Sequence, residues 1–331
     1  MVPVPHSITV RRVPRAVTSL APGLAALLLA LIAGVAVWQG WRDPLAALPR
    51  GDEPALLTAE HPVALLDLNS EARTVRHYTL EHASLGPIGL VVSLPKPVPD
   101  RPLPIVLVLG GLGTGEKNIA PIRAAGDNAI IGYDWPIPRR LPKGLDLIRE
   151  LPELYGRVLA VPGQVAAAIN WLSTQPWADS GRISVLGFSL GALAAPAVQR
   201  LAEAAGHDVG WTVLAYGGAG VGDLIVAHPK VDAGWAEPLL AAAADMLLRP
   251  VEPAEHLPHL SGRFLVLGGS EDSMIPERSF DLMRGLTPEP KTVVLFDGEH
   301  MGMGESKREL LDEIIRISRG WLLEHGAVNR P

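Results

Sequence analysis

The sequence predicts an α/β protein: a doubly wound, mostly parallel sheet with a short cap-like insertion and an N-terminal transmembrane or signal helix. Three observations predict it. Short apolar runs recur along the chain, each ending in Gly or a polar residue. Segments with helical spacing lie between those runs. One long stretch near the N-terminus carries no charge at all.

That stretch comes first. Arg11, Arg12 and Arg15 precede Ala16 to Trp41, which is uncharged, and its centre from Leu24 to Val37 is apolar throughout. As a helix it would cross a hydrocarbon core of roughly 30 Å. Trp38 and Trp41 fall where an interfacial aromatic belt belongs, and the basic flank predicts a cytoplasmic N-terminus with the remainder outside. The alternative is a signal peptide cleaved after Gly34-Val35-Ala36, giving a secreted protein. Residues 42–72, with Arg42-Asp43-Pro44 and Pro49-Arg50-Gly51-Asp52-Glu53-Pro54, read as a linker.

The folded domain is expected over residues 73–331. Residues 74–80 alternate as a half-exposed strand, and 88–94 follow a Gly86-Pro87 turn, so an antiparallel pair opens the sheet. Apolar runs at 105–109, 129–133, 183–186, 211–215, 264–267 and 292–296 suit parallel strands buried on both faces. Helical patterns fall at 164–173, 190–205, 279–286 and 307–325. Strand and helix alternate, as a doubly wound sheet requires. Residues 222–260 break the rhythm and read as the insertion.

Composition bounds the function. Of 331 residues, 48% are hydrophobic and only 19% are charged, so a large core forms without staples. The net charge of −6 comes without a Lys/Arg stripe, and nucleic-acid binding has no electrostatic footprint. The absence of Cys excludes disulfides, a thiolate nucleophile and Cys-based zinc sites.

Between a predicted strand and a predicted helix stands Gly187-Phe188-Ser189-Leu190-Gly191, a G-x-S-x-G pattern. A Ser on a sharp strand-to-helix turn is thrust above the carboxyl end of the sheet, and such a turn leaves no room for bulk two residues to either side. The helix beginning there aims its N-terminal dipole at a developing oxyanion.

With this motif in its strand–turn–helix context, residues 170–191 resemble the α/β-hydrolases. The branch they most resemble holds dienelactone hydrolases, acetyl esterases, prolyl-peptidase-like proteins and acyl-CoA thioester hydrolase-like or bile-acid-conjugating acyltransferase-like proteins. The resemblance spans about residues 73–325. It implies a nucleophile, an acid and a base in that chain order. Asp272 fits the acid, in Gly268-Gly269-Ser270-Glu271-Asp272 with Ile275-Pro276 behind it; Glu271 is the alternative. His300 fits the base, on the loop between the last strand and the closing helix. The one other His downstream of Asp272, His325, lies inside that helix. The oxyanion donors implied are the backbone N–H groups of Leu190 and Leu112, with Gly111 as the fallback. Where many relatives have His-Gly, this chain has Gly110-Gly111, which removes a bracing side chain but leaves the donor.

No cofactor or metal is expected: His256-x-x-His259 lacks a placed Glu and a third ligand. The partners expected are a small or lipid-like acyl ester and, through residues 16–41, a membrane. The Ala/Leu-rich 233–248 stretch, with Trp235, either lines an acyl pocket or packs on the sheet. Arg139, Arg140 and Lys143 either meet an anion or form a solvated loop. The function expected is serine-mediated cleavage of esters or thioesters; acyl transfer, peptidase activity and a non-catalytic tethered binding domain are the alternatives.

Overall fold

The computed structural model describes Gly34 and residues 42–51, 53–63, 73–111, 113–138, 145–229, 231, 234–302 and 307–330. The uncharged stretch 16–41 lies outside them apart from Gly34, as do Arg139, Arg140 and Lys143. Among the described residues no helix is long and apolar enough to cross a membrane.

The described chain runs α1 (Pro44–Ala47), β1 (Leu56–Pro62), β2 (Arg73–His82), β3 (Gly86–Pro95), β4 (Leu103–Leu109), α2 (Gly115–Ile119), β5 (Ala129–Tyr133), α3 (Leu145–Ser173), β6 (Ala178–Phe188), α4 (Leu190–Ala204) and β7 (Val209–Ala215). It continues through α5 (Val221–Ala227), α6 (Glu237–Leu248), α7 (Pro253–His256), β8 (Arg263–Gly269), α8 (Glu277–Leu286), β9 (Lys291–Phe296) and α9 (Arg308–Glu324). The nine strands form one sheet in the order β1-β2-β3-β5-β4-β6-β7-β8-β9. The first three strands and the β3–β5 pairing are antiparallel, and β5 through β9 are parallel.

β4 shows why apolar runs end up at the centre. All seven of its residues are buried. Ile105, Leu107 and Leu109 join the core beneath α3 and α4, while Val106 and Val108 join the core beneath α9. A strand covered on both faces has no position for a polar residue. Its neighbour β6 ends at Phe188, directly before α4, so residue 189 falls at the carboxyl edge of the sheet.

Two expectations change. The 42–72 stretch, read as a linker, contributes α1 and the edge strand β1. Every β1 residue is exposed, so no buried face marked it in the sequence; it is held by pairing with β2. The helix expected at 164–173 begins at Leu145 and passes through Pro152 and Pro162. Each Pro forfeits one backbone hydrogen bond, but the apolar face around them (Leu154, Val161, Val165, Ile169) is buried and carries the helix through.

Candidate active site

The turn at residue 189 is built by close approach. Ser189 has φ 52° and ψ −116°, a conformation a non-glycine residue seldom adopts. Its N–H is held by the carbonyl of Ala215 at 2.8 Å. A Cβ on Gly187 would collide with the backbone of Gly191 and Ala192, and one on Gly191 would run into the carbonyl of Leu109. The two glycines of the motif are therefore steric requirements of this turn.

Asp272 sits on the loop after β8. Its Oδ1 accepts from the N–H groups of Met274 (2.8 Å) and Ile275 (2.9 Å), which fixes the carboxylate and leaves Oδ2 free to face His300. Oδ2 lies 2.8 Å from His300 Nδ1. His300 Nε2 lies 2.9 Å from Ser189 Oγ. A carboxylate only accepts, so Nδ1 carries the imidazole proton and Nε2 presents its lone pair to the Ser hydroxyl. The side chains of His300 and Asp272 are 10% and 4% exposed, which strengthens both hydrogen bonds against competition from water. Glu271, the alternative acid, is exposed, and its backbone N–H donates to the Gly298 carbonyl at 3.0 Å.

Leu190 opens α4, and its N–H belongs to a first turn whose donors lack intrahelical acceptors. Leu112 lies outside the described residues. The loop around it is anchored from β5's far end. Asp134 accepts from the Gly115 N–H through Oδ1 and faces His77 Nε2 at 2.6 Å through Oδ2. Trp135 donates from its indole N–H to the Gly110 carbonyl at 3.1 Å, and its backbone N–H donates to Gly113 at 3.3 Å. Asp134 and Trp135 thus hold this loop at Gly110, Gly113 and Gly115. Sequence reasoning missed both; an Asp-Trp pair leaving a buried strand was the available signal.

Two further residues were missed. Lys307 Nζ donates to the His300 carbonyl at 2.7 Å, tying the His loop to the start of α9. Tyr216 packs its ring against His300. An aromatic before Gly217-Gly218 at the carboxyl edge of β7 was the signal for it.

A cavity of about 520 Å³ opens beside Ser189 and His300. Pro121, Ile122, Phe188, Met274, Met301 and Leu311 make it largely apolar; Lys117 stands exposed at its rim. Among the described residues of the 222–260 insertion, none lines it. Trp235 is 88% exposed and does not line an acyl pocket here. His256 is buried on the Pro250 carbonyl (2.8 Å), and among the described residues no cluster of His, Cys, Asp and Glu is placed to hold a metal.

A strained Ser between strand and helix, a parallel sheet ordered 5-4-6-7-8-9 with antiparallel strands at one edge, and acid and His loops after β8 and β9 define the α/β-hydrolase fold. The chain has this fold. Solved structures similar to it include an acetyl xylan esterase from Paenibacillus sp. (TM-score 0.59, 16% identity, covering 88% of this chain and 93% of that one). An acetyl xylan esterase from Thermoanaerobacterium sp. is also similar (TM-score 0.54, 14% identity, 82% and 90% covered). So is an esterase from the archaeon Pyrobaculum calidifontis (TM-score 0.52, 16% identity, 91% and 94% covered). No protein-family model and no curated protein sequence matches the chain.

Proposed function

We propose that the chain is a serine hydrolase that cleaves carboxylic esters or thioesters through an acyl-Ser189 intermediate. The observation that carries this reading is the hydrogen-bonded line from Ser189 Oγ to His300 Nε2 (2.9 Å) and from His300 Nδ1 to Asp272 Oδ2 (2.8 Å). The esterase names of the similar folds agree with it.

The chemistry follows from that line. As Ser189 Oγ attacks the acyl carbon, its proton passes to His300 Nε2. Asp272 holds the imidazole in the tautomer able to take it and stabilises the imidazolium that forms. The carbonyl oxygen becomes an oxyanion, met by the Leu190 N–H and the Leu112 N–H. Collapse breaks the bond to the leaving alcohol or thiol, which takes the proton from His300. Water then attacks the acyl-Ser189 carbon, giving a proton to His300, and Ser189 leaves with that proton as the carboxylic acid departs.

The test uses the full chain with Ser189→Ala as control. Labelling by a fluorophosphonate and turnover of nitrophenyl esters are expected for the wild type and lost in the variant. Equal turnover by the two proteins would overturn the assignment.

Residues 16–41 are, in the same proposal, a membrane anchor with the hydrolase domain on the extracytoplasmic side. Support comes from the sequence: a basic flank, an uncharged span and two Trp at its end. Alkaline extraction of membranes should leave the full-length chain in the pellet. Release of a chain beginning after Ala36 would indicate signal cleavage instead.

A further inference from the structure

The cavity beside Ser189 is not alone under α9. A second, smaller one of about 50 Å³ lies between α9 and the sheet, lined by Val106, Ile130, Leu186, Leu322 and Val328 among others. Ile122, Phe188 and Ile315 line both cavities and so form the partition between them. Ile122 and Ile315 are half-buried, and Ile122 packs against the core beneath α9.

The geometry gives the second cavity a direction. Phe188 ends β6 next to the nucleophile, and Leu186 lies two residues back on the same face. Val106 is in register with Ser184, four residues back, so the path descends about 13 Å along the strands. The C-terminal segment lies along its far end. Asn128 Nδ2 donates to the Asn329 carbonyl (3.1 Å), the Asn329 N–H donates to Asn128 Oδ1 (2.7 Å), and Arg182 holds Asn329 Oδ1 (2.9 Å). The result is a small, largely apolar space behind the wall it shares with the larger cavity.

We propose that Ile122, Phe188 and Ile315 gauge the acyl group of the substrate: a straight aliphatic chain bound to Ser189 runs through the larger cavity and ends at this partition. The proposal rests on the hydrolase reading and adds its substrate class. The free volume of about 50 Å³ behind the wall is about a tenth of the 520 Å³ in front of it and suits a slender chain end better than a ring. Lys117 stands exposed at the larger cavity, and Arg319 is the charged side chain lining the smaller one.

The experiment compares kcat/KM on nitrophenyl esters from acetate to palmitate, with a phenyl-bearing acyl ester as control. Ile122→Ala and Ile315→Ala join the two cavities. Each is expected to raise the long-to-short chain ratio by about tenfold, in line with the worth of a methylene or two in an apolar pocket, without a gain on the phenyl-bearing ester. Ile315→Trp should lower that ratio. Adding Leu186→Phe to Ile315→Ala refills the chamber behind the wall and should cancel the gain. Where an Ala variant does not fold, as judged by thermal melting, the Val variant at that position takes its place with a smaller change in the same direction. An unchanged chain-length profile, or a gain that survives Leu186→Phe, overturns the gauge while leaving the hydrolase reading intact. Absence of wild-type turnover on every ester overturns both.

Discussion

The phenol ring of Tyr216 stands edge-on to the imidazole of His300, with ring centroids 5.6 Å apart and planes at 88°. Tyr216 follows β7 in a left-handed conformation (φ 56°), and its N–H donates to the Leu267 carbonyl at 2.7 Å. It is 1% exposed, and its hydroxyl has no hydrogen-bond partner among the described residues. Burial, aided by the negative charge of Asp272, pushes its pKa up to about 12. The hydroxyl is therefore neutral and takes no proton from the neighbouring pair. What Tyr216 supplies is a rigid wall that keeps the imidazole in the plane joining Asp272 to Ser189.

Tyr216 variants separate the wall from the hydroxyl. Tyr216→Phe keeps the ring and removes an unpaired buried polar group, so stability should hold or rise by up to about 1 kcal/mol. Its kcat should stay within about twofold of the wild type. Tyr216→Ala removes the ring, and kcat should fall about tenfold with KM little changed, because the orientation of His300 is lost rather than substrate binding. Thermal melts and single-turnover kinetics read the two effects apart. A Phe variant as impaired as the Ala variant would refute the wall.

Asp272→Asn tests the tautomer. The amide can still accept from the Met274 and Ile275 N–H groups through its oxygen, so the loop geometry should survive. Its NH₂ then faces His300 Nδ1 and forces the ring proton to Nε2, where it blocks acceptance from Ser189. A loss in kcat of about 10³ to 10⁴ is expected with an unchanged melting temperature. Retained activity in Asp272→Asn alongside loss in Glu271→Gln would move the acid to the neighbouring position.

Asp134 is the test of how the Gly110–Gly115 loop is held. Its carboxylate binds the Gly115 N–H on one side and His77 on the other. Asp134→Ala frees the loop, and kcat should fall by about tenfold to hundredfold if an oxyanion donor is carried there. Asp134→Asn keeps an acceptor for Gly115 and should recover most of that loss. A fall in stability with no recovery of kcat in the Asn variant would mean that Asp134 only supports the fold.

These residues mark where the sequence was readable. The buried strands could be picked out because apolar runs such as 105–109 have no polar face, and Ser189 because its flanking glycines are demanded by a local turn. Asp272 and His300 were singled out through chain order after Ser189 and through their places behind two apolar strands. The contacts to Tyr216, Asp134 and Lys307 were hidden because each bridges segments brought together only by folding. Asp134 and Gly115, for example, belong to different βα units. The strand β1 was hidden for the opposite reason: its stability comes from backbone pairing on an exposed edge, which leaves no hydrophobic period to read. In α3, local propensity at Pro152 and Pro162 pointed away from helix, and burial of the face around them prevailed.

His256 gives a prediction for stability against pH. It is fully buried, with Nε2 2.8 Å from the Pro250 carbonyl and Nδ1 3.5 Å from Arg200 Nη1. A neutral ring satisfies both neighbours, donating from Nε2 and accepting at Nδ1. Burial pushes its pKa from 6.5 down to about 4, opposed in part by the Pro250 carbonyl. The folded pKa is the lower one, so below pH 6.5 the unfolded chain binds a proton that the folded chain refuses. The stability His256 contributes is complete above that pH and is lost as pH falls toward 4, by on the order of 3 kcal/mol. Urea melts of the wild type and His256→Gln at about pH 7.5 and about pH 4.5 measure this difference. The variant should be less stable at the higher pH, having disturbed the contacts to Pro250 and Arg200, yet lose about 2 kcal/mol less on acidification. Parallel losses in the two proteins would mean that the ring is protonated in the folded state, and that Pro250 and Arg200 do not hold it neutral.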